Sequence, residues 1–369
     1  MAKKAKVIIN VVGPYRLYGE SVVKAAVENG ASHVDISGEP AFLEKMQQKY
    51  GQQAKDNGVY VVGACGWDSI PCDLGVNFLK EHFDGTLDYA ETFVQTKSGP
   101  SGYSFNTGTY QTLILGIWQA KNDNLGKIRK EIMPNKLERS PYKPQKRGLI
   151  WWNEALDSYA LEFPGADRSV VQRSQYFDAV ENGARPVNIQ TYMLIKSYFW
   201  ALALMAWVTM VFLLVQFDFT RKLLQNYPDF CSFHMFKNSG PTRQQAKEAS
   251  FTYWVIGKGW KKDDKPGETP PNTVRVARCD GPDAGYIGTS GCVLSSALTI
   301  LDDRDKLPGN GGVYTTTAAF KNTGIYDHKL PGNGGVYTTT AAFKNTGIYD
   351  RLAEFNVTFR IDESIHAKL

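Results

Sequence analysis

Between Lys6 and Gly75 the chain switches three times between two hydrophobic periods, and this alternation limits the fold more than any other feature of its 369 residues. Val7-Ile-Ile-Asn-Val-Val12 is a mostly β-branched run closed by Gly13-Pro14. A strand buried on both faces reads this way, and such strands belong to parallel sheets. Apolar residues at 22, 23, 26 and 27 then follow a helical spacing within Glu20 to Asn29, and Gly30 is the C-terminal stop. Ser32 to Ile36 is a second short strand, and Pro40 to Asn57 a second helix with proline in its first turn. Val59 to Ala64 makes a third strand and Asp73 to His82 a third helix. Strand and helix alternating over short loops predict an α/β fold, a doubly wound parallel sheet of Rossmann type.

Ligands of such sheets bind beyond the carboxyl ends of the strands. Three loops converge there in this reading: Gly13-Pro14-Tyr15, Ser37-Gly38-Glu39 and Gly66-Trp67-Asp68-Ser69. Glycine lets the backbone approach a ligand closely, and Tyr15 or Trp67 offers a ring for stacking. Glu39 and Asp68 offer acceptors for sugar hydroxyls or a carboxamide. Ordinary strand-to-helix turns use Gly, Asp and Ser as well, so composition alone leaves both readings open.

The segments Asn10-Val-Val-Gly-Pro-Tyr-Arg-Leu-Tyr-Gly-Glu20, His33-Val-Asp-Ile-Ser-Gly-Glu-Pro40 and Gly66-Trp-Asp-Ser-Ile-Pro-Cys-Asp-Leu-Gly75 resemble the saccharopine dehydrogenase-like oxidoreductases. Ser98-Gly-Pro-Ser-Gly102, Gly240-Pro-Thr242 and Asp280-Gly-Pro-Asp-Ala-Gly-Tyr286 fit the same family. The likeness runs through essentially the whole chain. It implies a Rossmann domain with an inserted α+β domain, an NAD(P) cofactor, and kinship with lysine-pathway dehydrogenases and bacterial enoyl reductases of lipid synthesis. Lipid or glycolipid metabolism is the implied setting, with a hydrophobic small molecule as substrate. Under that resemblance Gly13, Pro14, Tyr15, Gly38 and Glu39 line the cofactor site, and Asp68 and Ser69 face nicotinamide or substrate as the catalytic residues. The Rossmann part is then 1–85, an α+β part for substrate or dimerisation 86–300, and a return to the Rossmann part 301–369.

One departure stands out. Family members open on a strand and a turn of the form G-x-S-G-F-T-G, whose backbone N–H groups hold the dinucleotide pyrophosphate at a helix N-terminus. No such turn occurs here; Gly309-Asn-Gly-Gly312 lies between polar turns near the far end and reads as a loop. The expectation is a partial, truncated Rossmann sheet that begins at the family's fourth strand. Val7–Val12 then becomes an exposed apolar edge, and dinucleotide binding is doubtful.

Near the other end Lys306–Asp327 recurs without a change as Lys329–Asp350. Solenoids need at least three copies, so two perfect ones read as a duplicated segment of which the fold uses one. The second copy, next to the final helix and strand at Arg351 to Phe359, is expected to dock, and that last strand to return to the parallel sheet.

From Ser197 to Phe217 there is no charged residue. As a helix this stretch is apolar all round and reaches about 31 Å, enough to cross a hydrocarbon core. A buried core or dimer-interface helix is the other reading. Because a Rossmann fold needs the parts before and after it on one side of any bilayer, a re-entrant or monotopic insertion is expected, suited to a membrane or a lipid-droplet monolayer. Lys127 to Arg147, with eight basic and two acidic residues, reads as an exposed loop, and Lys261 to Asn272 as a flexible linker.

Composition removes other classes. Lys and Arg exceed Asp and Glu by 42 − 37 = 5, too little for a dedicated nucleic-acid binder. Five scattered cysteines make no disulfide framework and read as reduced thiols on the cytosolic side. No metal-ligand spacing and no Gly-x-Ser-x-Gly elbow is present, so no metal site is expected. The six residues Val7–Val12 are too few for a signal h-region. The sequence therefore points to an NAD(P)-dependent oxidoreductase on the cytosolic face of a lipid droplet or mitochondrion. A catalytically inactive scaffold on the same surface is the alternative.

Overall fold

The computed structural model describes residues 1–138, 140, 142, 145–323 and 347–366. The first layer follows the predicted alternation: β1 (Val7–Asn10), α1 (Tyr15–Glu28), β2 (Ser32–Asp35), α2 (Pro40–Asp56), β3 (Tyr60–Val62) and α3 (Ile70–Glu81). The three strands run parallel, with Val7 opposite Ser32 and His33 opposite Val61. Gly30 and Gly58 end α1 and α2 in the left-handed region, at φ 74° and 63°. One face of the sheet packs on α1 and α2 through Val23, Val27, Phe42, Leu43 and Met46 against Val61. The other face buries Val34, Tyr60 and Val62 with α3.

The chain then builds a second, mixed sheet and a set of helices. In order these are β4 (Gly85–Lys97), β5 (Phe105–Asn106), α4 (Thr107–Gln119), α5 (Leu125–Ile132), β6 (Ile150–Asn153), β7 (Ser158–Glu162), α6 (Asp167–Asn182) and β8 (Asn188–Ile195). There follow α7 (Tyr198–Val215), α8 (Asp218–Asn226), α9 (Pro228–Cys231), β9 (Phe236–Lys237), α10 (Arg243–Glu248), β10 (Ser250–Lys261) and β11 (Thr273–Pro282). β4 pairs with β8 on one side and β10 on the other, so the segments before and after α7 meet in one sheet. The predicted linker 261–272 joins the long β10–β11 hairpin.

The carboxyl-terminal part corrects two expectations. After α11 (Thr289–Asp302) come β12 (Gly312–Tyr314), α12 (Thr316–Phe320), α13 (Ile348–Glu354) and β13 (Thr358–Ile361). It is the first copy of the repeat that docks: β12 lies parallel to β3, giving the order β1-β2-β3-β12. Asp73 fixes it, its Oδ2 accepting Thr316 Oγ1 and Thr317 N at 2.7 Å each. Most of the second copy, 324–346 with the end of the first, lies outside the described residues. Its last three residues, Ile348 to Asp350, open α13, where Ile348 N reaches Thr323 Oγ1 at 3.4 Å. β13 does not return to the parallel sheet. It pairs antiparallel with β11, where Arg360 meets Asp280 at 2.9 Å, and closes the mixed sheet in the order β13-β11-β10-β4-β8-β7-β6. β1 is an edge strand, as expected, with Ile9, Val11 and Val12 exposed.

Lys127–Arg147 is not one loop. α5 occupies its start, with Arg129 paired to the buried Glu44 at 2.9 Å, while Arg147 pairs with Glu91 and lies 4.0 Å over the Trp151 ring.

Candidate functional site

At the end of β1 the peptide Gly13-Pro14 is cis and α1 starts at Tyr15. A helix start leaves N–H groups without partners and carries partial positive charge. Glu39 supplies the partner: Oε1 accepts Tyr15 N at 2.7 Å, and Oε2 accepts Arg16 N at 3.3 Å and Arg16 Nε at 3.0 Å. Tyr15 is buried, its hydroxyl donating to Asn10 O at 2.9 Å, and its ring centroid is 5.4 Å from that of Phe42. Burial holds that hydroxyl far above its usual value. Glu39 and Tyr15 thus brace the loops to one another, and their acceptor atoms and ring are already engaged.

Gly38 and Asp68 meet. A Cβ on Gly38 would stand 2.5 Å from Asp68 Oδ2, and one on Gly165 2.7 Å from Oδ1, so only glycine fits on either side of this carboxylate. Asp68 also accepts the Ala166 N–H at the start of α6, and burial pushes its carboxyl up to about 6. Ser69 is fully buried as the residue before α3, and its Oγ has no partner among the described residues. Gly13 and Pro14 lie in the turn between β1 and α1, where a Cβ on Gly13 would meet the Tyr15 ring at 3.6 Å.

A second acid was not legible in the sequence. Asp167, 1% exposed, accepts the Tyr253 hydroxyl; burial, with the nearby Asp68 charge, holds it well above the usual carboxylate range. Beside them the Trp67 ring packs edge-on against Phe251 and Tyr253 at 5.9 and 6.2 Å, joining the two sheets. Only spatial contact brings together residues 67, 167 and 253. The motifs noted further along the chain converge here too. Asp283 accepts the Tyr103 hydroxyl and the N–H groups of Tyr286 and Ile287; Ser104 Oγ reaches Gly240 O at 3.1 Å; Thr289 Oγ1 accepts Trp67 N at 3.1 Å. Among the described residues no group of three or more His, Cys, Asp or Glu is placed to hold a metal ion.

Alongside lies a layer of three helices. α4, α7 and α8 share a small interior of Tyr110, Ile114, Trp207, Val211, Val215 and Leu224. The predicted apolar helix is therefore real but shorter, 198–215, and only 22% of it is buried. On and beyond its outer face Phe199, Leu213, Phe217, Phe219, Phe230 and Phe233 are 58–80% exposed, with the exposed Asp218, Lys222 and Asp229 interspersed along α8 and α9. The other helical stretch long and apolar enough to cross a membrane, 284–302, is 56% buried and packs on the parallel sheet. Arg16 joins the helical layer to the strand ends: besides Glu39 it reaches Gln119 Oε1 at 2.8 Å and Asp123 Oδ1 at 3.2 Å, just past α4.

A parallel α/β layer joined to a mixed sheet, with glycine-rich loops meeting where they touch, defines an α/β protein of Rossmann type. No protein-family model matches the chain. It is 59% identical over 333 residues to a "Lipid droplet localized protein" of Caenorhabditis elegans, covering 89% of this chain and 78% of that one. It is 39% identical over 327 residues to a human "Saccharopine dehydrogenase-like oxidoreductase", covering 89% and 76%. The chain belongs to the saccharopine dehydrogenase-like oxidoreductase family. Among solved structures, apo saccharopine dehydrogenase (L-Glu forming) from Saccharomyces cerevisiae aligns over 98% of this chain and 85% of its own, at 11% identity and a TM-score of 0.48.

The described residues do not fit the pyrophosphate of NAD(P) at these strand ends. The N-terminus of α1 is covered by the Glu39 carboxylate, Glu39 is also the residue before α2, and Asp68 stands two residues ahead of α3. Each helix start that would attract a phosphate therefore has a carboxyl group beside it.

Proposed function

We propose that this oxidoreductase-family chain works at a lipid surface, held there in the plane of the interface by α7, α8 and α9. The observation that carries the reading is the outward-facing row of large apolar side chains on α7, α8 and α9, uncharged along the whole of α7. Interfacial helices bury such a face roughly 5–10 Å into the boundary between headgroups and acyl chains. A single crossing by α7 would put β8 and β10 on opposite sides of the bilayer, whereas both are hydrogen-bonded to β4. The Caenorhabditis elegans relative's name supports a lipid droplet as that surface. A mitochondrial membrane has support in an Arabidopsis thaliana relative named for mitochondria, 30% identical over 351 residues, covering 88% of this chain and 76% of that one.

The proposed chemistry is the family's: oxidation or reduction of a hydrophobic substrate in lipid or glycolipid metabolism. Asp68, whose carboxyl burial pushes up to about 6, is a group at the strand ends able to give or take a proton, and burial shifts Asp35 to the same range. The carboxylates beside the helix starts favour a second reading, a scaffold that keeps the fold and the surface without the chemistry. One experiment separates them: flotation of the full chain with phosphatidylcholine vesicles, followed by NADPH fluorescence titration of the bound protein. Flotation with saturable NADPH binding supports the enzyme, and flotation without it supports the scaffold. Absence of flotation refutes both.

A further inference from the structure

We propose that the turn 229–234 is a rigid wedge by which the chain selects a neutral, loosely packed phospholipid monolayer over oil, a choice in which anionic charge takes no part. The proposal rests on the reading that the chain works at a lipid surface. Phe233 and His234 both lie in the left-handed region, at φ 52° and 63°, where residues with a side chain seldom sit. Such a conformation persists only where its surroundings over-determine it. Trp207 Nε1, from the interior of the helical layer, donates to Cys231 O at 3.0 Å, and the fully buried Ser232 accepts Phe236 N on Oγ at 3.0 Å. His234 N donates to Asp229 O at 2.8 Å, and its ring nitrogen Nδ1 stands 2.8 Å from Asp229 Oδ1. Phe230 and Phe233 are thus left 80% and 73% exposed on a backbone held against folding them away.

The charges of the layer decide the kind of lipid. α4 contains no charged residue, and 197–236 holds two acids, Asp218 and Asp229, and two bases, Arg221 and Lys222, so its net charge is 2 − 2 = 0. Arg221 is buried, paired with Asp218 and lying 4.0 Å over the Trp118 ring, which leaves Lys222 as the one exposed Lys or Arg of that stretch. Lys121 and Asp123 follow α4, and Lys196 and Lys237 bound the second stretch. Surfaces that recognise anionic headgroups carry clusters of about four to eight Lys or Arg. What remains is apolar insertion, which follows lipid packing and composition. Two rings fixed in place need a gap between headgroups that is already open. A sparse monolayer over oil offers such gaps, whereas a tightly packed one must be spread apart. Because the turn is held before binding, little ordering is needed when it enters.

The test compares flotation of the full chain on triolein droplets coated sparsely or densely with phosphatidylcholine, each also with phosphatidylserine added and at low and high salt. Binding to the sparse coat is expected to exceed binding to the dense coat by about tenfold or more. Phosphatidylserine or salt should change either value by less than about twofold. Phe233→Ser should lower binding to the sparse coat about tenfold, the factor that burial of about three-quarters of a phenylalanine side chain supplies. Phe233→Leu, which keeps an apolar side chain on the turn, should stay within about threefold of the parent, and circular dichroism checks the fold of both variants. Equal binding to the two coats overturns the wedge and leaves the lipid surface standing. Binding that rises with phosphatidylserine and falls with salt, or that survives Phe233→Ser undiminished, does the same. Absence of binding to every coat overturns both.

Discussion

Phe219 on α8 and Phe230 on α9 are 79% and 80% exposed, so replacing both with serine tests the lipid-facing layer without touching its interior. Burying a phenylalanine side chain fully is worth about 1.5–3 kcal/mol, and with four-fifths of each ring available the pair contributes about 3 kcal/mol to membrane partitioning. That corresponds to a loss of about a hundredfold in the partition coefficient. The folded state should barely notice, since exposed substitutions of this kind usually change stability by less than about 0.5 kcal/mol. Flotation with phosphatidylcholine vesicles over a range of lipid concentrations gives the coefficient, and a urea melt gives the stability. Partitioning that stays within a factor of about two of the parent, with an unchanged melt, would refute the assignment of this face to lipid.

Other outcomes follow from the interior. Glu39→Gln removes the charge from hydrogen bonds to Tyr15 N and Arg16, and should cost roughly 1.5–3 kcal/mol in urea unfolding; a neutral result would show that the α1 start is satisfied otherwise. Asp35 is 1% exposed and burial pushes its carboxyl from 3.8 up to about 6. The folded state then holds a proton that the unfolded chain has already released, so this group removes stability as pH rises from about 4 to about 6, by about 3 kcal/mol in all. Asp35→Asn should therefore gain on the parent over that interval, and a stability difference that does not vary with pH rejects the shift. Phe320, 0% exposed, should cost about 3–5 kcal/mol when cut to alanine. Phe343 stands at the same place in the identical repeat, so a loss below about 1 kcal/mol would mean that the second copy can take the slot beside β3.

The parts of this fold that short-range pattern controls could be read from the chain, and the parts set by distant pairing could not. Val7–Asn10 and Tyr60–Val62 are strands because β-branched runs near glycine turns allow little else, Ser32–Asp35 is placed between them by the alternation, and Pro40 opens its helix where proline is tolerated. Nothing local says that the fourth parallel strand is Gly312–Tyr314, from the first repeat and not from its twin, since the two are identical in sequence. Nor does Thr358–Ile361 announce that its partner is β11, a pairing that sets Arg360 opposite Arg278 and lets it reach Asp280 diagonally at 2.9 Å. At the candidate site the loops bearing Gly38 and Asp68 do meet, as read. Glu39 and Tyr15 also make hydrogen bonds that no motif announced, because a carboxylate and a phenol near a helix start find backbone partners. Asp167 and Tyr253, 86 positions apart, carry no motif that would have paired them.

Arg16 gives the molecule a mechanical property that neither sheet has alone. Its guanidinium is shared between a carboxylate at the head of one helix and two side chains at the tail of another, so both are gripped by one planar, inflexible fork. A tilt of the outer helices against the lipid would have to break that grip or drag the first turn of α1 along with it. Force at the interface and geometry at the strand ends are thus coupled through this side chain.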